Sequence, residues 1–218
     1  MSAPATSTGN VFVLNTGRCG STTFIRACSH ITNYTAGHES RRGTVGAPRL
    51  DYPTNHIEAD NRLSWLLGRL EDKYGADAVY VHLHRETGEV VSSFVKRYDD
   101  GIIRAYREAI LMGTPPAVSP DRVAADYCDT VTSNIVAFLK DKPHKIEFSL
   151  DNAREDFKRF WDYVGAEGSL DAALAEFDVK HNASEGPSAT GLFQRLAQAA
   201  RGLRRKAHLR TRIRRFME

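Results

Sequence analysis

The stretch that decides the expected fold runs from Val11 to Phe24 and reads VFVLNTGRCGSTTF. Its first four residues form a continuous apolar run, which is typical of a strand that is buried on both faces. Glycines follow at once, and residues 24–28 can continue as a helix with Ser21 or a neighbour as its N-cap. The pattern therefore predicts a buried strand, a glycine loop and the N-terminus of a helix, in that order.

Two similar units follow further along the chain. Residues 78–83 are rich in β-formers and precede a helical pattern over 90–95, and residues 145–150 precede an amphipathic pattern from Asn152. Strands that alternate with helices imply a parallel sheet with helices on both faces. We therefore predict an α/β protein with a P-loop-like three-layer fold, in which helices flank a central parallel sheet.

Further helices are predicted between these units. Asp60 can cap a helix whose leucines share one face and whose end is marked by Gly75. Residues 98–140 are predicted to form two helices, because prolines within 113–116 and 119–120 interrupt an otherwise helical pattern.

The composition is that of an ordinary soluble globular protein. The chain has 218 residues, of which 41% are hydrophobic and 26% are charged. No apolar stretch approaches the roughly 18 residues of a membrane span, and the start lacks the features of a signal peptide, so we expect a cytoplasmic protein. We expect a disordered N-terminus at residues 1–9, one domain at residues 10–191 and a C-terminal arm at residues 192–218.

Positive charge is concentrated in the C-terminal arm. Residues 192–218 carry nine basic side chains and one acid, a net charge of +8, whereas the rest has 21 basic and 26 acidic side chains, a net charge of −5. Apolar residues are interspersed among the basic ones, so a basic amphipathic helix can lie peripherally on an anionic membrane. The alternative is a solvated helix that packs on the body or on a second subunit. Nucleic acid is less favoured, because the body has no basic patch.

The cysteines give no sign of a cross-link or a metal site. Cys19, Cys28 and Cys128 are odd in number, scattered and without a CxxC pair. We therefore expect reduced thiols, no disulfide framework and no zinc.

The glycine loop points to an anion site. A loop between a buried strand and a helix gathers N–H donors and the positive helix end around one point, where they can hold a phosphate. Arg18 adds a permanent cation, and three hydroxyl residues follow at 21–23. The loop does not read GxxxxGK[ST], so a P-loop nucleotide kinase or NTPase is a weaker alternative. A non-catalytic anion-binding module, or a tight turn without a ligand, is another.

Two motifs in this order resemble a known family. Residues 15–24 look like the 5′-phosphosulfate loop of the sulfotransferases that use 3′-phosphoadenosine 5′-phosphosulfate (PAPS), commonly PKSGTTW or, in bacterial members, GRSGST, with Cys19 replacing the usual serine. The second signature is an arginine at the end of a later strand and a serine eight positions on, and Arg85 and Ser93 have that spacing. A later strand-helix unit, ending in YVG where the family has FLG, is similar as well. The resemblance covers about residues 10–190.

The resemblance implies a function and a set of site residues. It implies a PAPS-dependent sulfotransferase that needs no metal, forms 3′-phosphoadenosine 5′-phosphate (PAP) and sulfates a hydroxyl of a small-molecule, carbohydrate or glycolipid acceptor. PAPS carries phosphate at both ends of its nucleotide, and two neighbouring strand-helix units can supply two anion sites. Arg18 takes the position of the family's catalytic lysine, although a guanidinium cannot lend a proton. The implied donor contacts are Gly17, Arg18, Cys19, Gly20, Ser21, Thr22 and Thr23, together with Arg85 and Ser93 for the 3′-phosphate.

Three residues are candidates for the base that the acceptor hydroxyl needs. Glu39 ranks first, because it follows the loop by the interval at which many carbohydrate sulfotransferases place a catalytic glutamate, at a strand end. His38 is adjacent but is expected to project differently. His56 is the alternative if the acceptor enters from that side. For both histidines a purely structural role is the competing interpretation.

Two further groups are candidate substrate contacts. Asn61 and Arg62 either contact the acceptor or form a solvated first helical turn. Residues 180–182 either close over the adenosine phosphate or form a plain loop. The acceptor's identity and the oligomeric state are left open by the sequence.

Overall fold

The computed structural model describes residues 9–115 and 117–179. The segment 180–182 and the basic arm lie outside these residues, as does the N-terminus up to residue 8. The predictions for those segments therefore stay predictions.

Five parallel strands form the central sheet of the described part of the chain, which confirms the predicted α/β architecture. The strands are β1 (Val11–Leu14), β2 (Thr35–His38), β3 (His56–Ala59), β4 (Val79–His84) and β5 (Lys145–Ser149). Their order across the sheet is β2-β3-β1-β4-β5. All four residues of β1 are buried, as expected of an apolar run in the middle of a parallel sheet.

Helices cover both faces of the sheet. They are α1 (Ser21–Cys28), α2 (Leu67–Tyr74), α3 (Thr87–Val95), α4 (Gly101–Ala105), α5 (Pro120–Leu139), α6 (Ala153–Val164) and α7 (Leu170–Ala175). Phe24 of α1 packs edge-on against Phe148 of β5, with ring centroids 5.0 Å apart, and α7 contacts both α1 and α6. On the opposite face Tyr80 of β4 packs against Phe138 of α5 at 5.1 Å, and α3 contacts α5. The sheet is therefore the middle layer of three.

The helix predicted after Asp60 is divided in two. The Asp60 side chain caps a short 3₁₀ helix, Asn61–Trp65, and α2 begins only at Leu67 and ends at Tyr74, with Gly75 as its C-cap. The division follows from the backbone at Leu66, whose N–H donates to a carbonyl three residues back and tightens the turn. The two helices predicted between 98 and 140 are confirmed, although α4 continues into a π-helical turn.

The connections between strands place a crevice above β1 and β4. The chain leaves β1 towards β2 on one side of the sheet and leaves β4 towards β5 on the other. In open α/β sheets, ligands bind outside the carboxyl ends of the strands at such a change of direction. Leu14 and His82 are register partners near this end, so the glycine loop and the residues after β4 lie side by side. None of the described helices is long and apolar enough to cross a membrane.

Candidate functional site

The glycine loop has an unusual backbone. Gly17, Arg18 and Gly20 have φ angles of 87°, 61° and 83°, and a non-glycine residue seldom adopts a positive φ. Position 20 requires glycine for a second reason, since a Cβ there would lie 2.6 Å from Cδ1 of Leu150. Left-handed residues of this kind turn neighbouring N–H groups to one side, which suits an anion.

Helix α1 begins without a side-chain cap. Its N-cap is Gly20, the neighbour of Ser21, and its first turn contains no acidic residue. The N–H of Phe24 makes the first helical hydrogen bond, to the carbonyl of Gly20 at 3.0 Å. The positive end of the helix dipole therefore lies at the crevice with no carboxylate of its own turn to offset it.

Two side chains from other elements hold the glycine loop. The hydroxyl of Tyr127 in α5 donates to the carbonyl of Thr16 at 2.6 Å, and the hydroxyl of Ser64 donates to the carbonyl of Asn15 at 3.1 Å. Tyr127 and Ser64 are both buried. These contacts keep two carbonyl oxygens of the loop inside the protein, away from any anion in the crevice.

Cys19 shapes the loop from within. It is 2% exposed, and its thiol donates to the carbonyl of Gly17 at 3.2 Å and lies 3.1 Å from the Thr16 hydroxyl. Burial raises the pKa of the Cys19 thiol, so the thiol stays neutral at physiological pH. The Cys19 side chain thus stabilises the loop itself. The donor contact that the resemblance implies for Cys19 would therefore be made by its backbone.

The structure brings the two predicted motifs into contact. Nε of Arg18 donates to Oγ of Ser93 at 2.9 Å, although the two residues are 75 positions apart. The described residues supply Arg18 with no acidic partner. Burial lowers the pKa of Arg18, and so do the positive charges of Arg97 and Arg85. Positive charge is therefore in excess around the loop.

Arg85 follows β4 and differs from Arg18 in having an acidic partner. Its guanidinium pairs with Glu89, one helical turn away. Arg85 also lines a cavity of about 310 Å³ that extends from the glycine loop to α5 and includes His82 and Glu147, whose Nδ1 and carboxylate lie 3.0 Å apart. A cavity of this size beside the loop can take a small organic group. Over residues 9–115 and 117–179 no group of three or more His, Cys, Asp or Glu side chains is placed to hold a metal ion.

His38 reaches the N-terminus of α1. It is the last residue of β2, and its Nε2 lies 3.0 Å from the hydroxyl of Ser21 and 3.5 Å from that of Thr22. The His38 side chain is exposed. Of the three candidate bases, His38 is thus the one that the structure places on the hydroxyl groups of the loop.

Glu39 lies instead in a group of ion pairs. Its carboxylate is 2.9 Å from the guanidinium of Arg62 and 3.8 Å from that of Arg42. Arg62 also pairs with Asp60 at 3.1 Å, and the buried Asp60 pairs with the buried Arg49 at 2.5 Å. We refer to Glu39, Arg49, Asp60 and Arg62 as the Asp60 cluster. Glu39 and Arg62, predicted to act on the acceptor, are therefore partners of each other.

His56 is buried. Its Nδ1 lies 2.8 Å from the hydroxyl of Thr35, its Nε2 lies 3.0 Å from the carboxylate of Glu58, and its ring stacks on Tyr52. The residue is 7% exposed. Because both ring nitrogens have partners inside the protein, the arrangement favours the structural role for His56.

Three residues of the site are missing from the sequence-based prediction: Ser64, Arg97 and Tyr127. Ser64 and Tyr127 act on the loop across long sequence separations, which local patterns do not reveal. Arg97 has a detectable signal, because it follows Ser93 by four residues, about one helical turn. Asn61, one of the candidate acceptor contacts, is buried, and its Nδ2 lies 3.0 Å from where a Cβ on residue 17 would lie.

Comparisons with known proteins agree with the fold. The structure is similar to a solved sulfotransferase domain from the curacin biosynthetic pathway, with a TM-score of 0.54 and 15% sequence identity, over 82% of this chain and 80% of that chain. At this identity the similarity concerns the fold, so the chain has the P-loop-like α/β fold of a sulfotransferase domain. No protein-family model matches the sequence, and no curated protein matches it either.

Proposed function

We propose that this chain is a sulfotransferase that moves a sulfuryl group from PAPS to a hydroxyl group. The observation that carries the proposal is the contact between Arg18 and Ser93, which joins two distant motifs at the carboxyl ends of β1 and β4. The site around this contact has a helix N-terminus and a guanidinium that no described carboxylate offsets. Such a site suits a ligand that is anionic at more than one point.

The residues present fit the two ends of PAPS. In the proposal, Arg85 and Ser93 hold the 3′-phosphate, and Arg18 with the first turn of α1 holds the 5′-phosphosulfate. The hydroxyl groups of Ser21 and Thr22 lie at that first turn. When bound, PAPS supplies a sulfuryl group whose leaving partner is a phosphate. The task of Arg18 is to stabilise negative charge as that phosphate departs, an effect that is worth most in a site shielded from water.

His38 is the base that we propose. A base has to lie within hydrogen-bond reach of the reacting hydroxyl, and a neutral imidazole accepts a proton readily near pH 7. His38 already contacts the hydroxyl of Ser21 at the site. The carboxylate of Glu39 is engaged by two guanidinium groups, and His56 is buried, so both come after His38.

The proposal also covers the acceptor and the location of the protein. We propose a hydroxyl on a carbohydrate or glycolipid, and a basic arm that brings the protein to an anionic membrane surface. Removing residues 200–218 should then leave PAP binding intact and weaken binding to anionic vesicles in a salt-sensitive way. Unchanged vesicle binding would remove the arm from this role.

The experiment for the proposed function is transfer of labelled sulfate from PAPS to an extract of the source organism, with identification of the product. His38→Gln should lower the single-turnover rate strongly and Glu39→Gln should lower it less; the reverse order would restore Glu39 as the base.

Thermal shifts with PAP and Mg²⁺-ATP distinguish a sulfotransferase from the alternative protein classes. Stabilisation by Mg²⁺-ATP without stabilisation by PAP would favour a kinase, and PAP binding without any transfer would favour an anion-binding module.

A further inference from the structure

A row of hydrogen-bonded side chains joins β2 to β3 on one face of the sheet. Positions 35 and 37 of β2 are register partners of positions 56 and 58 of β3, so all four lie on that face. Nδ1 of His56 lies 2.8 Å from the Thr35 hydroxyl, and its Nε2 lies 3.0 Å from the Glu58 carboxylate. His38 is one position further along β2 and therefore lies on the opposite face, where it contacts Ser21 of α1.

The Glu58 carboxylate ends this row at the turn that follows β2. Glu58 is fully buried. Its carboxylate accepts hydrogen bonds from the backbone N–H of Ser40 at 2.7 Å and from the Ser40 hydroxyl at 2.6 Å. It also lies over Gly37, since a Cβ at that position would be 2.7 Å from Oε2 of Glu58. A buried carboxylate needs such donors to offset the loss of its hydration, so Ser40 is bound firmly to β3.

The residue between His38 and Ser40 has a strained backbone. Glu39 has a φ angle of 52°, which a non-glycine residue seldom adopts unless its surroundings impose it. The N–H of Glu39 continues the ladder by donating to the carbonyl of Ala59 at 3.0 Å. In the described sheet β2 is an edge strand whose neighbour is β3. Anchorage of the turn to β3 therefore fixes the end of β2, where His38 lies.

We propose that Glu58 is a positioning residue for His38. By binding Ser40, it fixes the left-handed turn at Glu39 and so holds the His38 imidazole at Ser21. The assignment rests on the proposed function, in which His38 is the base. Glu58 lies on the other face of the sheet and acts through the backbone of the turn. In the competing assignment Glu58 contributes to stability alone, and the His38 imidazole keeps its place without it.

The first measurement is the NMR signal of the His38 imidazole in the full chain, assigned with His38→Gln. Ser40→Ala removes one of the two hydrogen bonds to Glu58 and keeps the one from the backbone, so the chain should fold, which its thermal midpoint checks. Its His38 signal should shift in the same direction as in Ser21→Ala, because both variants end the contact with Ser21. Glu58→Gln should shift the signal in that direction too.

The second measurement is sulfate transfer from labelled PAPS to the extract of the source organism. Ser40→Ala should lower the single-turnover rate about 10- to 100-fold, because the base is misplaced, and leave PAP affinity unchanged. Ser40→Thr keeps the hydroxyl and should restore most of the rate. Thr35→Val is the matched control, since it removes the hydroxyl at the other end of the row. It should cost similar stability and change neither the rate nor the His38 signal.

Three results would decide against the assignment or separate it from the proposed function. A Ser40→Ala chain with an unchanged His38 signal and an unchanged rate would leave Glu58 a structural residue only. Equal losses of rate in Ser40→Ala and Thr35→Val would mean a general effect of stability, which also contradicts the assignment. If the His38 signal shifts as expected but the wild-type chain transfers no sulfate, the positioning of His38 stands and the proposed function is rejected.

Discussion

Arg18 in the glycine loop and the arginines of the Asp60 cluster, on the other side of β1, differ in their partners. Beside β4, Arg18 is without an acidic partner among the described residues. Beside β3, Arg49 and Arg62 both pair with Asp60, whose side chain is fully buried. Under the proposed function Arg18 binds an external anion, whereas Arg49 and Arg62 bind the protein's own carboxylates. Changes on the β4 side should therefore alter binding, and changes on the β3 side should alter folding.

The largest effect is expected on the β3 side. Asp60→Ala leaves Arg49 buried without its carboxylate, and breaking a buried ion pair in this way costs about 3–5 kcal/mol of unfolding free energy. Urea denaturation measures the loss. Asp51→Ala is the control, because Asp51 and its partner Lys73 are exposed, and it should change stability little. If Asp60→Ala is as stable as the control, the cluster is not structural.

Arg18→Ala should act in the opposite manner. With no carboxylate to lose, the variant keeps the stability of the wild type, whereas single-turnover sulfate transfer falls by about 10²–10³ because a charge that stabilises the leaving group is gone. PAP affinity should fall less than the rate does. An unchanged single-turnover rate would show that Arg18 does not act on the reacting group.

Arg85→Ala should distinguish binding of the 3′-phosphate from binding of the 5′-phosphosulfate. A charged hydrogen bond is worth about 1.5–3 kcal/mol, and the lower end applies here because the Arg85 side chain is 33% exposed. Affinity for PAP should therefore fall about tenfold, while affinity for adenosine 5′-phosphosulfate, which has no 3′-phosphate, stays close to that of the wild type. Equal losses for both ligands would remove Arg85 from the 3′-phosphate.

The smallest effect is expected at Tyr127, whose hydroxyl holds the glycine loop. Tyr127→Phe removes the hydrogen bond to the carbonyl of Thr16, at a cost of about 1 kcal/mol in stability, and weakens PAP binding roughly fivefold because the loop is less well held. Tyr80→Phe is a close control, since that hydroxyl also donates to a backbone carbonyl, the one of Gly75. It should cost similar stability and leave PAP binding unchanged. Loss of PAP affinity in both variants would mean that the loop is not specifically supported by Tyr127.

The strands that the sequence predicts are those with a recognisable pattern of apolar residues or β-formers. β1 is a continuous apolar run, β4 is rich in β-formers, and β5 alternates exposed polar residues with the buried Ile146 and Phe148. β3 was not predicted, because two of its four residues, His56 and Glu58, are polar. Both are buried, and they bond to each other and to side chains of β2 and the turn that follows it. Such compensation depends on the folded structure, so no local pattern reveals it.

For the candidate site, the sequence shows the motifs but not the directions of the side chains. The glycine loop, Arg85 and Ser93 are visible as motifs, because their spacing reflects one turn and one helix face. Which of His38 and Glu39 reaches the glycine loop was not predictable, since the direction of a side chain at the end of β2 depends on the residue's register in the sheet. His38 and Glu39 are neighbours in sequence, yet His38 contacts Ser21 and Glu39 contacts Arg62.

The central claim is that the β4 side of the crevice binds a nucleotide with phosphate at both ends. Calorimetric titration of the wild-type chain with PAP and with AMP tests it most directly, because the two ligands differ only in the 3′-phosphate. We predict that PAP binds at least about tenfold more tightly than AMP, without any requirement for Mg²⁺. Equal affinities for PAP and AMP, or binding of Mg²⁺-ATP by a chain that does not bind PAP, would contradict the claim.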